Sequence, residues 1–191
     1  QATSVDLALG NATETTVLFA PPGTFDLDWA GLERQLVKEI PGIRAAELIA
    51  GLRGLRPAAT PSDLYFFITT ERGMGNSART VADRKARLGR APVFLYHLTW
   101  ATPVLQGKLR TPHSLDIPMV FDNVAASTSL VGDDLRAPQK VADAMSAAWI
   151  AFARSGSPNG PGLAQWPAYN PQRRATMTFD VASRSVEDPL R

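Results

Sequence analysis

The sequence predicts an α/β fold, and only part of one. Residues 92–100 read Pro-Val-Phe-Leu-Tyr-His-Leu-Thr-Trp, short, aromatic and nearly continuous in apolar character. That is the pattern of an internal strand covered on both faces. Several segments with apolar residues at helical spacing surround it. Two or three strands with this many helices cannot complete a doubly wound sheet, so the chain reads as the second part of a larger α/β domain.

Each element follows from local chemistry. Residues 5–9 are rich enough in apolar side chains for a buried strand, which Gly10-Asn11 should end with a turn. A short apolar continuation at 15–19 stops at Pro21-Pro22-Gly23. Asp26 or Asp28 can cap a helix carrying Trp29, Leu32, Leu36, Val37 and Ile40, stopped by Pro41-Gly42. Residues 43–52 form another short helix, ending near Gly54 and Pro57. Pro61-Ser62-Asp63 begins a third through Leu64, Phe67 and Ile68, which Gly73 and Gly75 should interrupt. An amphipathic helix resumes over 77–88 and closes at Gly89. Loops are expected at 102–112 and 122–134. A helix over 141–153 places Val141, Met145, Ala148, Trp149 and Phe152 on one stripe. A Gly- and Pro-rich loop follows, and 176–180 reads as a closing strand.

Composition narrows the function classes. The 191 residues are 45% apolar and 20% charged, with a net charge of +2, ordinary for a globular domain. Basic residues gather only at 79–90, on a helix face and without the aromatic interleaving that nucleic-acid binding needs. No apolar run approaches the ~18 residues needed to span a bilayer. There are no cysteines, so disulfides and thiolate metal sites are excluded. The start at Gln1, with no basic or apolar leader, suggests a processed, cut or fragmentary chain.

The two histidines differ in setting. His97 lies within the strong strand and reads as a packed or edge residue. His113 sits in a loop between that strand and a short apolar run: Gly107-Lys-Leu-Arg-Thr-Pro-His113-Ser-Leu-Asp116-Ile-Pro118-Met-Val-Phe121. This segment resembles the histidine segment of type-B carboxylesterases, the cholinesterase-like and para-nitrobenzyl esterase-like branch of the α/β-hydrolases. Further segments resemble that family in order along the chain. They are the Pro92-Val-Phe-Leu-Tyr96 strand, Phe152-Ala-Arg-Ser-Gly156-Ser-Pro158-Asn159, Trp166-Pro167-Ala-Tyr169, and the strand ending at Phe179-Asp180. The resemblance implies the C-terminal part of a single α/β-hydrolase domain. Residues 27–90 would be a mostly helical pocket wall, and 92–191 would hold the strand, histidine loop, late helix and closing strand.

The resemblance also implies chemistry: carboxylic-ester hydrolysis by a Ser-His-Glu triad, with His113 as base and no cofactor. The acid should lie upstream, after a strand, where it holds the imidazole in the right tautomer. In Gly10-Asn-Ala-Thr-Glu14-Thr15 the only carboxylate is Glu14. Aligned without gaps, Thr15 falls at the acid position; a one-residue shift puts Glu14 there. Asp116, where the family usually has Glu, would brace the histidine loop or simply cap a helix. Trp29, Leu64, Phe66 and Phe67 would line the pocket, their ordinary alternative being core. Gly-x-Ser-x-Gly and the His-Gly-Gly oxyanion-hole motif are both absent. The partner implied is therefore an N-terminal portion of the same enzyme carrying the serine, with a small-molecule ester as substrate. Two other readings are a non-catalytic cholinesterase-like binding module and an inactive truncated fragment.

Overall fold

The structure, a computed structural model, describes residues 7–12 and 15–189. A four-stranded sheet lies at its centre: β1 (Leu7–Ala12), β2 (Val93–Leu98), β3 (Ala175–Phe179) and β4 (Arg184–Glu187), side by side in that order. β1, β2 and β3 run parallel, and β4 returns antiparallel to β3. The helices are α1 (Trp29–Glu39), α2 (Ala45–Leu55), α3 (Pro61–Thr70), α4 (Asn76–Leu88), α5 (Asp116–Val120), α6 (Thr128–Val131) and α7 (Arg136–Ser155).

β2 is internal, and every one of its six residues is buried. Alternation sends its side chains to two different cores. Phe94, Tyr96 and Leu98 join Val141, Ala142, Met145 and Ala148 of α7, together with Trp166, Met177 and Phe179. Val93 and Leu95 pack on the other face with Ala82 of α4 and Tyr169. The Trp166 ring is pinned in the first core, its indole N–H donating to the Leu95 carbonyl at 3.1 Å. A third core is helical: Leu32 and Leu36 of α1, Ala45 and Ile49 of α2, and Leu64, Tyr65, Phe66 and Ile68 of α3.

Capping explains where the helices begin. Asp28 accepts the Gly31 N–H at 2.6 Å and starts α1. Thr60 and Asp63 form a reciprocal capping box on α3, with Pro61 in the first turn. α7 ends on Gly156, which takes the left-handed φ of 73° that closes a helix cheaply.

Four expectations need correction. β1 does not turn at Gly10-Asn11 but runs on to Ala12, because pairing with β2 satisfies its backbone as far as Leu98. Gly73 and Gly75 do not interrupt the chain; a π-helical turn, Glu71–Gly75, joins α3 to α4. A Cβ at Gly75 would lie 2.7 Å from a Glu71 carboxylate oxygen, so glycine makes room for the Glu71–Arg79 ion pair. The 122–134 stretch contains a 3-10 turn, Val124–Ala126, and the short helix α6. β4 was not anticipated at all.

Candidate active site

The parallel strands set the location of the site. Ligand sites of open α/β sheets lie beyond the carboxyl ends of the strands, and the chain leaving β2 leads to His113. Thr99 N–H donates to the Phe179 carbonyl at 2.9 Å, keeping the exit from β2 against β3. The loop then closes on itself, with Thr102 N–H donating to the Arg110 carbonyl at 2.8 Å. Thr111 Oγ1 donates to the Trp100 carbonyl at 3.1 Å, and both residues are buried. Pro112 follows, then His113 and Ser114 in a turn that leads into α5.

His113 is half-buried. Its ring lies 5.7 Å from that of Phe19, tilted by 48°. Phe19 ends the 3-10 turn Thr15–Phe19, the first described segment after β1. The contact brings the chain that leaves β1 up against the histidine. Glu14 lies outside the described residues, as does any side-chain placement at Thr15.

Asp116 opens α5 and accepts a hydrogen bond from the buried Tyr96 hydroxyl at 2.9 Å. Burial raises the Tyr96 pKa, and the neighbouring Asp116 charge raises it further. The phenol therefore stays protonated and remains a donor. This bond ties the segment after His113 to the middle of β2.

The four residues expected at a pocket wall divide into two pairs. Leu64 and Phe66 are enclosed in the helical core and present almost no surface. Trp29 and Phe67 are partly open, and each carries an arginine on its ring: Arg53 at 4.2 Å from Trp29 and Arg56 at 3.9 Å from Phe67. Such stacks are attractive and keep the guanidinium partly solvated.

His97 belongs to the opposite face of β2. It is buried, and its Nε2 has no hydrogen-bond partner among the described residues. Burial lowers its pKa to about 4, helped by the Arg56 and Arg79 charges. It borders a small cavity of about 20 Å³ with Gly75, Arg79, Tyr169 and Asp188. Among the described residues no group of three or more His, Cys, Asp or Glu side chains could hold a metal ion, and no helix is long and apolar enough to cross a membrane.

Comparison with known proteins fits this arrangement. Residues 60–191 match the model of the carboxylesterase family. The chain belongs to that family. It is similar to the para-nitrobenzyl esterase of Bacillus subtilis, with 29% identity over 110 residues, 57% of this chain and 22% of that protein. It is also similar to the phenmedipham hydrolase of Pseudarthrobacter oxydans, with 31% identity over 113 residues, 58% of this chain and 22% of that protein. In three dimensions it resembles the crystal structure of a Geobacillus stearothermophilus carboxylesterase, with a TM-score of 0.78 and 28% identity. That match covers 98% of this chain and 39% of the esterase. The fold is thus part of a carboxylesterase α/β-hydrolase fold. This family member spans about a fifth of the length of those curated relatives.

Two residues at the histidine loop carry no local signal of their part in it. Tyr96 was expected as a strand residue of the apolar run, and its hydroxyl bond to Asp116 depends on the return of a distant loop. Phe19 lay in an apolar stretch with no assigned role, yet it is the residue that meets the imidazole.

Proposed function

We propose that this chain supplies the base, His113, and the acid, Glu14, of a Ser-His-Glu triad that hydrolyses carboxylic esters. The serine and the oxyanion hole belong to an N-terminal portion of the same enzyme. His113 takes the serine hydroxyl proton as Oγ attacks the ester carbonyl, and then gives that proton to the departing alcohol. Water repeats the sequence in the second half: His113 deprotonates it, the acyl–oxygen bond breaks, and the serine is reprotonated. Glu14 holds the imidazole in the productive tautomer and stabilises the imidazolium formed in between.

The observation that carries the reading is the Phe19–His113 contact, which sets a residue shortly after Glu14 in the chain against the candidate base. The need for a partner is supported by two features. β1 stands at the edge of the sheet among the described residues, and an open parallel edge strand invites pairing. Two large apolar side chains also stand uncovered, Phe19 against the histidine and Phe121 at the end of α5: they are 67% and 72% exposed.

The test is hydrolysis of 4-nitrophenyl acetate by this chain alone and by the chain paired with its upstream portion, each with a His113→Ala control. Activity in the paired sample alone, lost in the control, is the expected result. A paired, folded sample without activity would overturn the enzyme reading and favour a binding module.

A further inference from the structure

We propose that Asp63 and Arg110 form a positioning pair for His113, fixing the histidine loop against the N-terminus of α3; the functional part of the proposal rests on His113 acting as the base. The loop needs such a brace. Arg110 and Ser114, on either side of the histidine, take left-handed φ values of 54° and 67°. Such φ values are strained for a non-glycine residue and persist only where the surroundings over-determine them. Downstream, Asp116 is held by Tyr96. Upstream, the Arg110 guanidinium reaches the Oδ1 of Asp63.

Asp63 is a fixed anchor. Its Oδ2 accepts the Thr60 N–H at 2.9 Å, and its own N–H donates to Thr60 Oγ1 at 3.2 Å. One carboxylate therefore both caps α3 and holds Arg110. The Asp63 side chain is 22% exposed and that of Arg110 44%. A pair this open adds little to global stability. Its effect should fall on the placement of the imidazole. The neighbouring Lys108–Asp26 pair is different: it spans 3.5 Å with side chains 52% and 76% exposed, and an ion pair that open to water fixes geometry weakly.

Two measurements test the proposal. The first is imidazole NMR of this chain, which has only two histidines to assign. Arg110→Ala and Asp63→Asn should each shift the His113 ring signals as its contact with Phe19 loosens, and leave those of His97 in place. The asparagine oxygen can still accept the Thr60 N–H, so the cap survives. The second is 4-nitrophenyl acetate hydrolysis by the chain paired with its upstream portion. Both variants should lose about tenfold in kcat with KM little changed. The double variant should be no worse than either single, and Arg110→Lys should recover most of the rate. Tm should move by less than about 3 °C, and Lys108→Ala should leave kcat unchanged. Unshifted His113 signals, or an equal loss in Lys108→Ala, would overturn the positioning pair. Shifted signals in a chain whose paired form has no esterase activity would keep the pair and overturn the role of His113 as base.

Discussion

Lowering the pH from 7 to 5 should destabilise this chain through one residue, His97. The imidazole is 7% exposed and its Nε2 is unpartnered among the described residues. Burial, reinforced by Arg56 and Arg79, takes its pKa from 6.5 in the open chain to about 4 in the fold. The unfolded chain therefore binds the proton first. Stability falls as the pH drops through 6.5 and stops falling near 4, once the folded form is protonated too. The gap between those values corresponds to about 3 kcal/mol, of which about 2 kcal/mol is lost by pH 5.

The assay is urea unfolding followed by circular dichroism at pH 7 and pH 5, comparing the natural chain with His97→Leu. Leucine removes both the titration and the orphaned nitrogen, whose burial itself costs about 1–3 kcal/mol. The variant should match or exceed the natural chain at pH 7. It should lose about 2 kcal/mol less on acidification. Asp188 on the cavity wall and Glu71 beside Arg79 are common to both chains, so whatever they contribute cancels in the difference. Parallel losses in the two chains would refute the reasoning, because His97 would then be solvated or bonded in solution.

Two further perturbations test the frame around the site. Tyr96→Phe removes the donor to Asp116 and should cost about 1–2 kcal/mol in urea unfolding; an unchanged midpoint would mean that the hydroxyl does not hold the loop. Gly75→Ala should displace Glu71 from Arg79. The loss of that partly buried pair, about 2 kcal/mol, outweighs the helix-propensity gain of up to about 1 kcal/mol. A variant that melts higher than the natural chain would show that the pair contributes nothing.

What could be read from the sequence was whatever a single segment determines for itself. The β2 run is apolar on both faces, and no competing local signal disturbs it, so its position and its burial were both legible. The α7 stripe was equally clear because Val141, Met145 and Ala148 point into one core. β4 was invisible: Arg184, Ser185, Val186 and Glu187 carry no strand pattern, and only the register with β3 makes them one. The π-helical turn was hidden for another reason. Glycine usually marks a break, and Gly75 instead marks a place where the Glu71 carboxylate approaches the backbone. His113 was singled out as the candidate base through its motif. Its neighbours were not, because Phe19, Asp63 and Tyr96 are distant in sequence and converge only in the fold.

That convergence also explains how the chain can hold His113, the proposed base, without a helix or strand beneath it. The His113 turn is tied to β2 through Asp116 and to α3 through Arg110, and it touches the segment after β1 through Phe19. The ties to β2 and α3 use side-chain pairs three residues before and after the histidine, so neither occupies the imidazole. The backbone around the ring is thus held from two directions. Preorganised placement of this kind, rather than the chemistry of any single side chain, governs how well a general base works. On the proposed role of His113, a change that loosens the Arg110 brace should therefore reduce turnover before it reduces stability.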